Sequence, residues 1–379
     1  MPGLKLQDNA FDTALVLWPV TPISVLDKLR DVFRTVSFFP VQGPAAAPDA
    51  AQPSMDDYAR ADAIFAFSMP PELTHPDQTP RLKLFQCCSS GVSHLEGTDF
   101  FKAAQAERRD IAWANASGIQ TTTIAEHVLG TVLMLTHKLA FLHLAAQNEQ
   151  RWVPHAELGG NFIRELNTLV VGVIGYGNIG RETARLFRGC GATVVALTRH
   201  GVPQPATGYS LPSTGDPDGT VPSAYYSSTS REARHAFFGA CDVVVNTLPE
   251  SERTIGTMET DEFTAMKGDA IYVNVGRGTT TDQEALVRAL TAQPQEGEER
   301  SATGTLRIGA ASLDVVNPEP LPSSSPLYTL PNVILTPHMS ALSAQYWSRA
   351  IGVLRTNVER LGRGEEGVNV FAGPGRESK

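Results

Sequence analysis

Six apolar residues, Leu169-Val170-Val171-Gly172-Val173-Ile174, run directly into Gly175-Tyr176-Gly177-Asn178-Ile179-Gly180. An apolar run of that length predicts a strand buried on both faces. The G-x-G-x-x-G hexapeptide after it is a weak signal alone, because glycine-rich turns are common. Here it opens an amphipathic helix over residues 181–188, and a second apolar strand follows over 193–197. In that setting each glycine has a physical task. Gly175 permits the tight turn, Gly177 lets a pyrophosphate approach the backbone, and Gly180 lets the helix pack closely on the strand. The amides around Asn178 and Ile179 then lie at a helix N-terminus, where the dipole favours phosphate. Tyr176 completes the dinucleotide-binding turn.

The same strand–helix alternation fills most of the chain. Strands are predicted at 14–18, 63–67, 84–88, 169–174, 193–197, 243–246, 270–274, 309–313 and 333–335, and one long helix over 123–140. Such alternation builds parallel sheets, and 379 residues are too many for one ordinary core. Pro/Ser/Thr/Gly-rich 201–230 and polar 293–305 read as surface insertions without regular order. A net charge of −9 argues against a nucleic-acid partner. No run approaches the roughly 20 apolar residues of a membrane span. Cys87, Cys88, Cys190 and Cys241 have no metal-ligand spacing, so no metal is expected and a reducing cytoplasm fits.

After the second strand, an NAD-specific site places an acid to hold the ribose hydroxyls. This chain has Thr198-Arg199-His200. No carboxylate repels a 2′-phosphate there, and Arg199 can bind one. NADPH is therefore the expected cofactor, with NAD as the second choice.

Three later motifs end predicted strands: Val273-Asn274-Val275-Gly276-Arg277-Gly278, Leu313-Asp314-Val315-Val316-Asn317-Pro318-Glu319-Pro320, and Thr336-Pro337-His338. With the glycine turn, this ordered set resembles the D-isomer-specific 2-hydroxyacid dehydrogenase family, of the glyoxylate/hydroxypyruvate reductase kind, over about 82–350. The resemblance implies a catalytic set of Arg277, Glu319 and His338. Reducing a 2-oxo acid requires a cation for its carboxylate and a proton for the developing alkoxide. Arg277 offers a planar fork for the first, and His338 can deliver the second. Glu319 would orient His338 and favour its protonated form. The resemblance also implies cofactor contacts from Val275, Asp314, Pro249 and Thr254, and a substrate-carboxylate loop at Ser90, Gly91 and Val92. Ser93 stands where many relatives carry aspartate, and Met339-Ser340 replaces a small apolar residue and glycine.

The expected fold is α/β, with two Rossmann-like domains of doubly wound parallel sheets and an active site in the interdomain cleft. The resemblance divides the chain into a substrate domain, 1–115 completed by 341–379, and a dinucleotide-binding domain, 116–340. It implies a homodimer acting on a small 2-oxo or 2-hydroxy acid. A formate dehydrogenase of this fold would pair its histidine with glutamine, and Glu319 argues against that. A dinucleotide-sensing transcriptional corepressor of the same fold would keep the same three residues and is the alternative from another class. The chain has no basic nuclear-import run to support it.

Overall fold

A computed structural model describes residues 11–20, 22–42, 50–158, 163–293 and 302–373. They include β1 (Thr13–Val16), β2 (Thr35–Phe38), β3 (Ala63–Ala66), β4 (Leu84–Cys87) and β5 (Ala112–Ala114). There follow β6 (Val170–Ile174), β7 (Thr193–Thr198), β8 (Ala224–Ser227), β9 (Val243–Asn246), β10 (Ile271–Asn274), β11 (Ala310–Leu313), β12 (Val333–Leu335) and β13 (Val370–Ala372). They form two sheets in two compact units. One unit holds the described residues up to Ile119 and those from Ser343 on, and the other is Gln120–Leu342.

The first sheet has the order β13-β5-β4-β3-β1-β2. Its strands are parallel except β13, which returns from the end of the chain to pair antiparallel with β5. Strands β3 and β4 are buried along their whole length, as expected of a parallel sheet covered on both faces. Trp113, Phe85 and Phe100 fill the core of this unit.

The second sheet is wholly parallel, in the order β12-β11-β10-β9-β6-β7-β8. The order reverses between β6 and β9, and ligands of open α/β sheets bind at the carboxyl ends flanking such a switch. Phe237, Phe238, Phe263 and Tyr272 fill one face. Val171, Val173, Phe187 and the inward side of the helix Thr121–Thr136 fill the other.

The single helix expected over 123–140 is two helices, Thr121–Thr136 and Leu139–Asn148, set at 68° to each other. Lys138 lies between them with φ +56°. A left-handed residue cannot continue an α-helix, so apolar periodicity runs across a break that only the backbone conformation reveals. Among the described residues no single helix is long and apolar enough to cross a membrane.

Candidate active site

Strand β6 delivers the glycine turn to the switch point. Gly175 has φ +83°, which favours glycine. A Cβ on Gly180 would lie 2.2 Å from the Gly175 carbonyl oxygen, so the helix Asn178–Gly189 can approach the strand only without one. On Gly177, by contrast, a Cβ would meet nothing within 4 Å. That open side, next to first-turn amides at the positive end of a twelve-residue helix, fits a dinucleotide pyrophosphate.

The side chains of the turn are engaged elsewhere, against the expectation for the segment after β7. The Tyr176 hydroxyl donates to Asp216 Oδ2 at 2.8 Å, and Asn178 Nδ2 donates to the Tyr209 carbonyl at 2.8 Å. Arg181 donates to the carbonyls of Asp216 and Gln204 and lies 4.9 Å over the Tyr176 ring. Glu182 accepts from the Gly215 N–H at 2.6 Å. Asp216 is buried and also accepts from the N–H groups of Thr220 and Val221. Burial alone would raise its pKa, but these donors hold it below the usual carboxylate range. Burial, then the bond to Asp216, pushes the Tyr176 phenol up. Residues 201–223 are thus docked on the glycine-loop helix, and the same segment continues into β8. Its composition read as disorder because its polar groups find partners far away in sequence. Of the second insertion, 294–301 lie outside the described residues.

At the end of β7, Thr198 Oγ1 accepts from the Gly201 N–H at 3.1 Å. The side chains of Arg199 and His200 are exposed and make no ion pair among the described residues. After β9, Thr254 Oγ1 donates to the Pro249 carbonyl at 2.6 Å, closing that loop on itself.

Strands β10, β11 and β12 are neighbours, with Asn274 in register with Leu313 and Leu313 with Leu335. The three motifs therefore emerge side by side at the carboxyl ends. Asn274 is buried and folds the first of them. Its Oδ1 accepts from the Gly276 N–H at 3.0 Å, and its Nδ2 donates to the Arg277 carbonyl at 3.1 Å. Val275 is buried. Arg277 donates to the Gly276 carbonyl at 2.7 Å and has no acid partner among the described residues, which leaves most of the fork open.

The Asp314 carboxylate is buried and accepts from Thr336 Oγ1 and the Met339 N–H on one oxygen and from the Ser340 N–H and hydroxyl on the other. Burial opposes its charge, yet these bonds keep its pKa lowered. With both oxygens so committed, this carboxylate holds the turn that carries His338. Thr336 Oγ1 gives its only proton to Asp314, so His127 Nε2, 3.4 Å away, is the donor of that pair. His338 Nδ1 lies 2.8 Å from Glu319 Oε2, and Glu319 Oε1 accepts from the Val316 N–H at 3.2 Å. A cavity of about 450 Å³ adjoins the pair, lined also by Val316, Pro320, Leu321, Tyr328 and Leu335.

In the first unit, Ser90, Gly91 and Val92 form the loop between β4 and the short helix Ser93–Glu96. Sequence reasoning missed the buried Asn274 and the similarly placed Asn246, whose Oδ1 accepts from the Leu248 N–H at 3.1 Å. The available signal was asparagine as the last residue of an apolar strand.

A family model described as D-isomer specific 2-hydroxyacid dehydrogenase, NAD binding domain, matches residues 129–340, more than half of the chain. The chain belongs to the D-isomer specific 2-hydroxyacid dehydrogenase family. Members of this family are oxidoreductases with a nicotinamide-dinucleotide cofactor. The glyoxylate reductase/hydroxypyruvate reductase of Mus musculus is 30% identical over 271 residues, 71% of this chain and 70% of its own length. The glyoxylate/hydroxypyruvate reductase B of Klebsiella pneumoniae is 25% identical over 357 residues, covering 92% of this chain and 97% of its own. The D-isomer specific 2-hydroxyacid dehydrogenase structure from Xanthobacter autotrophicus Py2, in complex with NADPH and MES, has a TM-score of 0.68 at 23% identity, covering 94% of this chain and 96% of that one. At that identity the likeness concerns the fold.

Proposed function

We propose that this member of the 2-hydroxyacid dehydrogenase family reduces a small 2-oxo acid to the D-2-hydroxy acid and prefers NADPH. The observation that carries the reading is the 2.8 Å His338–Glu319 pair, which joins the segments after β12 and β11, with Arg277 presented after β10, the next strand of the sheet. The imidazole edge at Nδ1 is held by a carboxylate, which leaves Nε2 to give a proton to the carbonyl oxygen as it becomes an alkoxide. Arg277 polarises the ketone, and the amides of Ser90, Gly91 and Val92 are the carboxylate loop of this reading. A bound nicotinamide supplies the hydride.

The cofactor preference is supported by Thr198, Arg199 and His200, three potential donors with no acid among them. Val275, Pro249 and Thr254 complete the dinucleotide site in this reading, and Asp314 serves it by holding the turn that carries His338. The unit of Gln120–Leu342 serves as the cofactor domain and the other as the substrate domain. Exposed Leu139, Phe141, Leu144 and Trp152 support a homodimer through the helix Leu139–Asn148 and the chain after it. A cytoplasmic enzyme is the setting that free cysteines favour.

The test is His338→Ala and Arg277→Ala, assayed with NADPH and a panel of 2-oxo acids. Each variant is expected to lose roughly a hundredfold or more in turnover while still binding NADPH in a fluorescence titration. Turnover close to wild type in either variant overturns the mechanism.

A further inference from the structure

A guanidinium can polarise a ketone only if the turn that carries it keeps its place. The Arg277 side chain gives that turn little support, since its bond among the described residues runs back to the neighbouring Gly276 carbonyl. The backbone must be held instead. Five buried polar side chains gather there: Asn246, Tyr272, Asn274, Thr280 and Thr281.

Asn246 and Asn274 end the parallel strands β9 and β10 and are paired in register. Tyr272, two residues before Asn274, shares its face of β10. Thr280 and Thr281 close the short helical turn that Arg277 begins. Asn246 Nδ2 donates to the Tyr272 phenol at 3.0 Å and to Thr280 Oγ1 at 2.8 Å. Thr280 Oγ1 donates to the Arg277 carbonyl at 2.6 Å. Asn274 Nδ2 donates to that same carbonyl and to Thr281 Oγ1, both at 3.1 Å. Thr281 Oγ1 and the Tyr272 phenol, 2.7 Å apart, complete a closed ring of hydrogen bonds that passes through the Arg277 carbonyl.

Polar groups taken out of water regain their bonds only in one mutual arrangement, so a closed buried ring resists any shift of its members. The two amide oxygens tie it to the main chain. Asn274 Oδ1 accepts from the Gly276 N–H, and Asn246 Oδ1 from the Leu248 N–H. Both flanks of Arg277 are in close contact with neighbouring loops. A Cβ on Gly276 would lie 2.5 Å from the Leu248 carbonyl oxygen, and one on Gly278 would run into the Val316 carbonyl. The Val316 N–H donates to Glu319, the partner of His338. The ring thereby fixes Arg277 against the loop that holds the His338–Glu319 pair.

We propose that Asn246, Tyr272, Thr280 and Thr281 are positioning residues, whose buried ring locks the Arg277 turn for catalysis. This rests on the reading of Arg277 as the group that polarises the ketone. The experiment is steady-state reduction, with NADPH, of the 2-oxo acid that wild type turns over fastest. The variants are Tyr272→Phe, Thr280→Val, Thr280→Ser, Arg277→Ala and the double variant of Tyr272→Phe with Arg277→Ala. Thr280→Val lowers turnover by about tenfold or more and Tyr272→Phe by roughly three- to tenfold, mainly in kcat. Thr280→Ser, which restores the donor, recovers most of that loss. The Kd for NADPH in a fluorescence titration stays at the wild-type value, because the Asn246–Leu248 bond is untouched. In the Arg277→Ala background, Tyr272→Phe costs no further turnover.

Wild-type turnover in Tyr272→Phe or Thr280→Val, even with a lower melting temperature, overturns the positioning role while the reductase reading stands. So does an equal loss from Tyr272→Phe in both Arg277 backgrounds, or a Thr280→Ser variant as slow as Thr280→Val. Tyr272→Phe deletes one oxygen atom, so it decides the matter even if Thr280→Val does not fold. Arg277→Ala with wild-type turnover overturns the reading of Arg277 itself.

Discussion

The main-chain N–H of His338 donates to the Asp314 carbonyl at 2.8 Å, and the Asp314 carboxylate binds the two residues after His338. His338 adopts φ +51°, a left-handed conformation that side chains other than glycine enter at a cost. Asp314 therefore holds the histidine where its own backbone preference would not. The Ser340 hydroxyl adds a donor to that carboxylate.

Removing the anchor should cost stability and turnover together. Asp314→Ala leaves the Thr336 and Ser340 hydroxyls and the Met339 and Ser340 N–H groups without this acceptor, so unfolding free energy should drop by about 3 kcal/mol. Ser340→Ala removes one donor from a saturated carboxylate and should cost about 1 kcal/mol. Urea denaturation of both variants checks the order, and equal stabilities would show that the carboxylate is not the anchor.

Acid should weaken the docking of 201–223. The folded pKa of Asp216 is lowered, so its contribution is fully present above the ordinary aspartate value of about 3.9 and is lost as pH falls through the folded value. Asp216→Asn does not titrate there. The stability gap between wild type and variant should stay constant from about pH 7 to 5 and narrow below about pH 4. A gap that persists unchanged at about pH 3 would contradict the assignment.

Two glycines of one turn should fail differently. Gly180→Ala forces a backbone clash at 2.2 Å and should destabilise the fold by about 1–3 kcal/mol or more. Gly177→Ala meets open space and should fold like wild type but bind NADPH poorly, because the new methyl fills the phosphate's approach. Thermal unfolding and dinucleotide titration of the pair separate the two effects. Normal binding by Gly177→Ala would place the pyrophosphate elsewhere.

For cofactor choice, Arg199→Ala should raise KM for NADPH about tenfold, since charge-assisted bonds are worth roughly 1.5–3 kcal/mol, and leave KM for NADH nearly as it was. Thr198→Asp should shift preference toward NADH by repelling the 2′-phosphate. A wild-type enzyme that favours NADH would mean that Arg199 serves only solvent.

Glu319→Gln keeps a hydrogen-bond acceptor for His338 but removes the charge. Turnover of a 2-oxo acid should decrease by roughly ten- to a hundredfold, with KM for the dinucleotide unchanged. Turnover equal to wild type would show that Glu319 does not act through His338.

Local order in the sequence was enough for the strand–helix rhythm, the glycine turn and the strand ends at which the family resemblance places Arg277, Asp314, Glu319 and His338. Each of these is written in neighbouring residues, because burial periodicity and turn chemistry are short-range. Short β5 and β13 were not legible, since they pair across more than 250 residues and have too few positions for a pattern. The break at Lys138 was hidden because apolar spacing runs through it. Residues 201–223 read as loose because polar composition does not say which carbonyl Arg181 will reach or which hydroxyl Asp216 will take. Such pairings are decided when distant strands settle into register, because a buried donor or acceptor must find a partner from whatever segment the fold brings within reach.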